Sequence, residues 1–486
     1  MGVKVAKFGG SSLASTAQII KALDIVRSDP ERRYIVASAP GKRTPDDIKV
    51  TDLLYQVYEH RDGGYEPFLD QIRQRYAEIA DGLGVEVDLG GEFDRIERAL
   101  GSCLRHDDRG NRQDDKGGRT DGDAGGTDDG GSRTGGETAE YFASRGEYLN
   151  SLVLAAALGW EFVDAAEVVR FSDSGEFLPH ETDILLAERL DDIERAVIPG
   201  FYGATEHGQI RTFPRGGSDV TGALVARAVD ADVYENWTDV SGIYAADPRI
   251  VDSPRSIEWI SYAALRELTY LGASVLHENA IAPVRDKQIP INIRNTNRPG
   301  DHGTWIGSGP FSEPQPDESY PVSTLVGLAG KTGYSSITAR KTQWSGSLGI
   351  GAQLLSLFDD AHILVDMLVA SIDTWTFVVR ASPDQTEALA QTIIREMAAD
   401  SAEVRPGLAL LGVVGTSTPD PELQATRGRF PTVDLGLQAA ETLAKEGIWV
   451  FAMSSPGGFN TVDAHLLLID AGNYENAVRC LYAALA

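Results

Sequence analysis

The sequence predicts an α/β fold, with a mostly parallel sheet sandwiched by helices, followed by two smaller α+β units of the ferredoxin-like kind. Short apolar runs alternate with helical segments over roughly the first 300 of the 486 residues, which is typical of a parallel sheet. A segment rich in Gly, Pro, Ser and acidic residues at 307–319 then marks a linker. Beyond it, a strand–helix–strand–strand pattern occurs twice, in units of about 70 residues.

Composition excludes several classes of function. The 44 basic and 72 acidic residues give a net charge of −28, which argues against a nucleic-acid partner because such a partner requires a basic face. No apolar run reaches the ~18 residues of a membrane span and no signal-peptide pattern is present, so we expect a soluble, cytoplasmic protein with no membrane partner. Cys103 and Cys480 lack disulfide and metal-ligand spacing, so both are predicted to be structural thiols and no metal site is expected.

The first strand ends in a glycine pair. Lys4–Phe8 precedes Gly9-Gly10 and Ser11, and a helix is predicted from about Thr16. Lys7, at the strand end beside bare backbone amides, is suited to binding phosphate. The spacing is not that of a P-loop, and a plain turn between a strand and a helix is the alternative interpretation.

The next segments supply a second strand and a further helix. Tyr34–Ala39 is the strand, and Thr51 is the predicted N-cap of the helix that follows its polar loop. Between 106 and 138 the only apolar residue is Ala124, so we predict a disordered insertion, because no core can form from it. A helix then carries Glu147 into the domain. A single helical glutamate is usually solvated, so the pattern alone assigns Glu147 no role.

The stretch from Val197 to Val251 contains the largest set of polar candidates. Gly216-Gly217 lies directly before an apolar helical run, where bare N–H groups and the helix dipole favour an anion. Ser218 or Asp219 is the predicted N-cap of that helix. The guanidinium of Arg215, next to the glycines, suits a carboxylate or a phosphate.

Further strands complete the first domain. Asp232–Trp237 ends at Thr238-Asp239, where polar groups can meet a ligand at the carboxyl edge of a sheet. A helix is predicted at Tyr262–Leu271, and His277 is interpreted as a structural histidine because no partner histidine or cysteine is near it in sequence.

The predicted segments are a first domain at 1–306, a linker at 307–321, and two C-terminal units at 322–400 and 401–486. The C-terminal units contain no nucleophile or acid–base constellation, which favours regulation or assembly.

Five motifs, in order, resemble those of the aspartate kinase family, in which an amino-acid-kinase domain precedes two ACT domains. The motifs are Lys7-Phe8-Gly9-Gly10-Ser11-Ser12, Ser144-x-Gly146-Glu147, Arg215-Gly216-Gly217-Ser218-Asp219, Trp237-Thr238-Asp239-Val240 and Ala246-Asp247-Pro248-Arg249. The stretch at 38–52 is similar to the monofunctional, feedback-regulated branch of Bacillus type. The resemblance spans nearly the whole chain. It implies ATP-dependent phosphorylation of L-aspartate to 4-phospho-L-aspartate, the first step towards lysine, threonine and methionine.

The resemblance also implies roles for residues of the first domain. Lys7 contacts the transferring phosphoryl group, whose charge is shared by the amides of Gly9 and Gly10 and by Mg²⁺, and Asp219 orients Lys7 or the nucleophile. The attacking carboxylate is already ionised at pH 7, so no general base is required. Arg215 holds a carboxylate of aspartate and Glu147 pairs with its ammonium group. The implied substrate-binding residues are Ser38, Thr51, Glu147, Arg215, Gly216, Gly217 and Ser218.

Nucleotide and effector residues follow from the same resemblance. Ser274 stands where the family often has lysine. The positions where lysine-sensitive relatives bind their effector correspond to Ser347, Gly349 and Asp366, so the implied effector is lysine and/or threonine. ACT units usually pair across subunits, which implies a homodimer or a dimer of dimers. The residues implied to contact ATP are Lys7, Gly9, Gly10, Ser11, Thr238, Asp239, Tyr244, Arg249 and Ser274.

Two alternatives stay open on the sequence. The first is another amino-acid kinase, acting on glutamate, N-acetylglutamate or carbamate. The paired ACT-like units and the combination of Glu147 with Arg215, which suits a free amino acid, disfavour it. The second is a catalytically inactive amino-acid sensor. The presence of Lys7, Arg215 and Asp219 disfavours this sensor, whereas Ser274 favours it.

The acidic, lysine-poor composition predicts a protein adapted to concentrated salt, and a halophilic source is our hypothesis. Only ten of the 44 basic residues are lysines, and salt screens the repulsion among the excess carboxylates. We expect the protein to unfold faster in dilute buffer than at molar salt, as measured by the decay of its circular dichroism after dilution. Equal unfolding rates in the two solutions would indicate an ordinary acidic enzyme.

Overall fold

A computed structural model describes residues 2–110, 138–214, 216–273, 276, 280–307, 324–342, 344, 349–416, 431–455 and 462–486. The chain forms two compact units. The first unit consists of Met1–Gly242 with Leu276–Gly307, and the second consists of Ile243–Val275 with Ser308–Ala486. The predicted first domain, 1–306, therefore contributes residues to both units.

Strands and helices are numbered along the chain. The strands are β1 (Lys4–Phe8), β2 (Arg32–Ala37), β3 (Glu161–Phe162), β4 (Arg170–Phe171), β5 (Ala196–Pro199), β6 (Tyr202–Thr205), β7 (Ile210–Thr212), β8 (Val233–Thr238), β9 (Ile243–Tyr244), β10 (Ser256–Ile257), β11 (Trp259–Ser261), β12 (Ile291–Asn295), β13 (Thr304–Gly307), β14 (Thr324–Arg340), β15 (Val365–Ala370), β16 (Thr374–Val379), β17 (Ser401–Thr416), β18 (Val450–Ser454) and β19 (Val462–Asp470). The helices are α1 (Thr16–Arg27), α2 (Val50–Glu59), α3 (Glu66–Leu83), α4 (Leu89–Gly110), α5 (Ala139–Leu158), α6 (Ala165–Val168), α7 (Pro179–Leu190), α8 (Gly217–Ala228), α9 (Tyr262–Tyr270), α10 (Ile281–Asp286), α11 (Ile350–Asp360), α12 (Pro383–Met397), α13 (Pro431–Lys445) and α14 (Tyr474–Leu485).

The main sheet of the first unit is parallel except at one edge. Seven of its strands lie in the order β13-β12-β8-β1-β2-β5-β3, and only β13 runs antiparallel to its neighbour. Successive side chains of a strand point to opposite faces. Ala6 and Phe8 are buried in a core with apolar residues of α1 to α5, so Lys7 points to the other face, towards α8. Strands β4, β6 and β7 form a small separate sheet.

The second unit contains a six-stranded antiparallel sheet in the order β15-β16-β14-β17-β19-β18. The long strands β14 and β17 pair with each other along their length and form the centre of the sheet. The sheet therefore has two halves, and each of these two strands runs through both. The second half of β14 pairs with β16, whereas the second half of β17 pairs with β19. Helices α11 and α12 cover one half-sheet and α13 and α14 cover the other, each around its own apolar core. The predicted fold class is confirmed.

One prediction of order was wrong in part. Helix α4 continues to Gly110, so residues 106–110 of the predicted insertion are helical. Residues 111–137 lie outside the described residues, as do most of the predicted linker at 307–321 and His277. Cys103 is buried and Cys480 half-buried, and the two do not form a disulfide. Within the described residues, no helix is long and apolar enough to cross a membrane.

Candidate active site

Two neighbouring parallel strands present Lys7 and Asn236 side by side. Lys7 of β1 is in register with Asn236 of β8, and both point to the face covered by α8. The Nζ of Lys7 lies 3.4 Å from the Oδ1 of Asn236. The Lys7 side chain is only 10% exposed, so its charge requires a partner within the protein.

That partner is Asp219, in the first turn of α8. Its Oδ1 lies 2.6 Å from the Nζ of Lys7 and also accepts a hydrogen bond from the Nδ2 of Asn236 at 2.9 Å. The hydroxyl of Tyr234 donates to the backbone carbonyl of Asp219 at 3.1 Å, which fixes the turn against β8. Lys7, Asp219 and Asn236 therefore form one buried polar cluster.

The predicted cap of α8 was wrong. The N-cap is Gly216, whose φ of 82° lies in the left-handed region that favours glycine, and the helix begins at Gly217. Ser218 and Asp219 therefore lie inside the first turn, where the Asp219 carboxylate is available to Lys7. Ser218 is buried against Gly200, since a Cβ on Gly200 would lie 2.7 Å from its Oγ. Arg215 lies outside the described residues.

The glycine turn after β1 differs from expectation in one respect. The N–H of Gly9 donates to the carbonyl of Trp237 at 2.9 Å, so this amide is engaged in joining β1 to β8 rather than bare. Gly10 begins a short 3-10 helix, Gly10–Leu13, which contains the exposed Ser11. The turn is held by a hydrogen bond from the N–H of Gly41 to the carbonyl of Gly10 at 2.8 Å.

The predicted amino-acid-binding residues lie in part around the carboxyl end of β2. The N–H of Ser38 donates to the carbonyl of Phe8 at 3.1 Å, which places Ser38 directly beyond β2 and next to β1. Thr51 is half-buried within the first turn of α2, and its prediction as the N-cap was wrong because Lys49 occupies that position. Because α2 begins at Val50, Thr51 is the second residue of the helix and has an ordinary helical conformation.

Glu147 of α5 is a buried carboxyl group. The backbone N–H of Ala39 faces its carboxyl group and favours the charged form, and its Oε2 has no hydrogen-bond partner among the described residues. Burial raises its pKa from 4.5 to about 8, because removal from water disfavours the charged form more than the backbone hydrogen bonds favour it. A buried carboxyl group with one unpaired oxygen is suited to receiving a cation.

The remaining residues predicted to contact ATP are distributed over both units. Thr238 ends β8 and donates to the Oδ1 of the exposed Asp239 at 3.1 Å. Tyr244, in β9, and Arg249 belong to the second unit. Arg249 is 87% exposed and pairs with Asp247 at 2.6 Å, which raises the pKa of Arg249. Ser274 lies outside the described residues.

The predicted effector positions lie in the second unit. Gly349 is the N-cap of α11, with a φ of 86°. Asp366 of β15 accepts a hydrogen bond from the hydroxyl of Tyr270, and burial, followed by this contact with the Asp366 carboxylate, raises the pKa of Tyr270. Lys331 donates to the backbone carbonyl of Tyr270. Ser347 lies outside the described residues.

Sequence reasoning missed two asparagines. Asn236 completes the cluster around Lys7, and Asn150 of α5 is fully buried and donates to the carbonyl of Ser38 at 2.7 Å. The signal for Asn236 is an amide in the middle of a buried parallel strand, where it needs a polar partner on the same face. Asn150 lies three residues after Glu147, on the same helix face.

Comparison with known proteins identifies the class. The family model described as the amino acid kinase family matches residues 2–295. This match covers more than half of the chain and includes Lys7, Asp219, Asn236 and Glu147. The chain therefore belongs to the amino acid kinase family.

Individual relatives show to which group of the amino acid kinase family the chain belongs. Aspartokinase 3 of Bacillus subtilis is 33% identical over 429 residues, covering 85% of this chain and 86% of that protein. A crystal structure of Clostridium acetobutylicum aspartate kinase has a TM-score of 0.82 at 34% identity and covers 100% of both chains. Within its family, the chain belongs to the aspartokinases, and the resemblance noted in the sequence is confirmed.

A more distant relative shares the fold. Escherichia coli aspartokinase III, solved in complex with aspartate and ADP, has a TM-score of 0.69 at 24% identity and covers 99% of both chains. The same enzyme, solved with lysine and aspartate, has a TM-score of 0.65 at 23% identity.

Replacing Glu147 tests the buried carboxyl group. Because its pKa is raised from 4.5 to about 8, the folded state holds a proton that the unfolded state loses between these values, so stability falls as pH rises through this window. Glu147→Gln removes this loss, which corresponds to roughly 5 kcal/mol at full extent. We expect the Tm of E147Q, measured without ligands, to exceed that of the wild type by a margin that grows from about pH 5 to pH 8. A margin independent of pH would contradict the burial of an ionisable group here.

Proposed function

We propose that the first unit transfers the γ-phosphoryl group of ATP to the side-chain carboxylate of L-aspartate, giving 4-phospho-L-aspartate, and that the second unit makes this reaction respond to an amino-acid effector. The observation that carries the proposal is the buried cluster of Lys7, Asp219 and Asn236 beside the glycine turn. It places a fixed positive charge at the carboxyl edge of a parallel sheet, where α/β proteins bind their ligands. The membership of the chain among the aspartokinases supports this reaction.

Lys7 is the group proposed to stabilise the transferring phosphoryl group. An ammonium has three N–H donors, and the contacts with Asp219 and Asn236 account for two. The third is available to a phosphate oxygen. Phosphoryl transfer depends mainly on positioning and on charge stabilisation, so a lysine held rigidly by two partners suits this role. Because the Gly9 amide is engaged, Gly10 and Ser11 are the proposed backbone contacts to phosphate.

Glu147 and Arg215 are proposed to bind the two ends of the amino acid. The unpaired Oε2 of Glu147 would accept the ammonium of aspartate, and that positive charge favours the ionised carboxylate. Arg215 would hold a carboxylate through its guanidinium. Hydrogen bonds from Ser38, Thr51 and Ser218 would complete the site, with Gly216 and Gly217 allowing close approach of the backbone.

Magnesium fits this site as a partner of the nucleotide. Among the described residues, no group of three His, Cys, Asp or Glu side chains could hold a metal ion. Mg²⁺ retains several waters and is usually held by substrate phosphates with one or two carboxylates. Asp219 and Asp239 are the carboxylates that the predicted site offers. When bound, Mg²⁺ neutralises charge on the phosphate oxygens. Thr238 and Asp239 are proposed to line the nucleotide, whereas Tyr244, Arg249 and Ser274 stay predictions from the family motifs.

The effector is proposed to be lysine and/or threonine, bound in the second unit with Asp366, Gly349 and Ser347 as contacts. The Asp366 carboxylate can accept the ammonium of an amino acid, and the E. coli relative was solved with lysine. A homodimer or a dimer of dimers, formed through the sheets of the second unit, is the proposed assembly.

The reaction is tested by coupled measurement of ADP release with aspartate, with glutamate and without an amino acid. We expect ADP formation that depends on aspartate. In Lys7→Met the rate should fall by roughly 10²-fold or more, because the fixed charge is lost. This variant also serves as the control for contaminating ATPase. Equal ADP release with and without aspartate would contradict the reaction, and release only with glutamate would favour another amino-acid kinase.

The effector contact is tested with two substitutions. Tyr270→Phe removes a donor from Asp366 and leaves its carboxylate free for an effector ammonium, so the half-inhibitory lysine or threonine concentration should fall several-fold, on the scale of one hydrogen bond to a charged group. Asp366→Asn should raise that concentration. If both variants shift inhibition in the same direction, Asp366 is not the effector ligand.

A further inference from the structure

Two buried side chains of α5 face the same peptide group. The Nδ2 of Asn150 donates to the carbonyl of Ser38 at 2.7 Å, and the N–H of Ala39 faces the carboxyl group of Glu147, where it favours the charged form. That carbonyl and that N–H belong to one planar peptide unit. Glu147 and Asn150 lie three residues apart and so on one helix face. The peptide between Ser38 and Ala39 is therefore held by α5 through its carbonyl and faces the Glu147 carboxyl group through its N–H.

A glycine allows α5 to approach this peptide closely. A Cβ on Gly146 would lie 2.8 Å from the Cβ of Ala39, which is nearer than side chains tolerate. The hydroxyl of Tyr76, on α3, donates to the carbonyl of Gly146 at 2.6 Å and holds the helix in place. Because no side chain separates the helix from the loop, Glu147 and Asn150 can both reach the peptide.

Stability alone does not account for an asparagine at position 150. Its side chain is fully buried, and its Oδ1 has no hydrogen-bond partner among the described residues. An unpaired buried acceptor is destabilising, and a leucine of similar size would avoid the penalty. The same helix face contains the unpaired Oε2 of Glu147. Within the described part of the chain, the one hydrogen bond of the Asn150 side chain is the bond to the Ser38 carbonyl, so this bond indicates its role.

We propose that Asn150 is a positioning residue for the amino-acid substrate: by fixing the Ser38–Ala39 peptide together with Glu147, it directs Ser38 into the aspartate site. This proposal rests on the proposed function, in which Ser38 and Glu147 contact aspartate. With the peptide held, Glu147 uses one oxygen for the Ala39 N–H and keeps the other for the ammonium. Without Asn150 the peptide can rotate, and both contacts to aspartate are lost together.

Asn150→Leu tests this role by removing the donor while keeping the size. We expect the KM for aspartate to rise by roughly tenfold or more, because small displacements of positioning groups have large effects. The KM for ATP should stay within about twofold, since Lys7 and Asp219 lie on β1 and α8. Ser151→Ala is the matched control. Ser151 is the next residue of α5, is also fully buried and has an unpaired Oγ, and its replacement should leave both KM values unchanged.

Asn150→Asp provides a readout that a purely structural role would not change. An ionised aspartate cannot donate to the Ser38 carbonyl, whereas a protonated one can. The ratio of the aspartate KM in N150D to that in the wild type should therefore fall as pH is lowered. The titratable neighbours, Glu147 on α5, Tyr76 on α3 and Tyr55 on α2, are present in both proteins, and the wild-type pH profile reports their own titration.

The outcomes are distinct. An aspartate KM in folded N150L within twofold of the wild type, or an equal rise in the KM for ATP, overturns the proposal. If N150L does not fold, the pH dependence of the N150D ratio decides, and a ratio independent of pH overturns it. If the wild type forms no ADP in response to aspartate, the proposed function fails and this role fails with it.

Discussion

The ion pair between Lys7 and Asp219 is the constraint on which the rest of the first unit depends. A lysine that is 10% exposed is stable only beside an opposite charge, and its carboxylate partner must come from the element packed on its face of the sheet. The register of β1 with β8 adds Asn236, which bonds to both partners. The pair therefore fixes how the first turn of α8 sits against the strands.

On the face of the sheet opposite α8, a second buried ion pair holds β8 in place. Arg32 and Glu235 form a buried ion pair at 2.6 Å, and the indole N–H of Trp237 donates to the same carboxylate at 2.8 Å. Glu235 and Trp237 flank Asn236 in β8 and, by strand alternation, point away from α8. The strand that presents Asn236 to Lys7 is thereby anchored on both faces, which limits the movement of the cluster.

The sequence predicted the features that depend on neighbouring residues, and it did not predict those that depend on contacts between distant parts of the chain. Local patterns predicted the helix at Tyr262–Leu271, which is observed as α9, and the strand that carries Lys7, because periodicity and glycine turns are properties of neighbouring residues. The helix caps were predicted wrongly because Gly216 caps α8 through its own φ, without a side-chain acceptor. The engaged amide of Gly9 and the shared strands β14 and β17 depend on partners far along the chain, which one sequence does not display.

The most direct test is a crystal structure of the protein with a non-hydrolysable ATP analogue and aspartate. We expect the Nζ of Lys7 within about 3.2 Å of an oxygen of the terminal phosphate, with Asp219 still bound to the same ammonium. The side-chain carboxylate of aspartate should lie in line with that phosphate. Phosphates bound away from Lys7, with Lys7 contacting only Asp219 and Asn236, would contradict the role of the buried cluster in phosphoryl transfer.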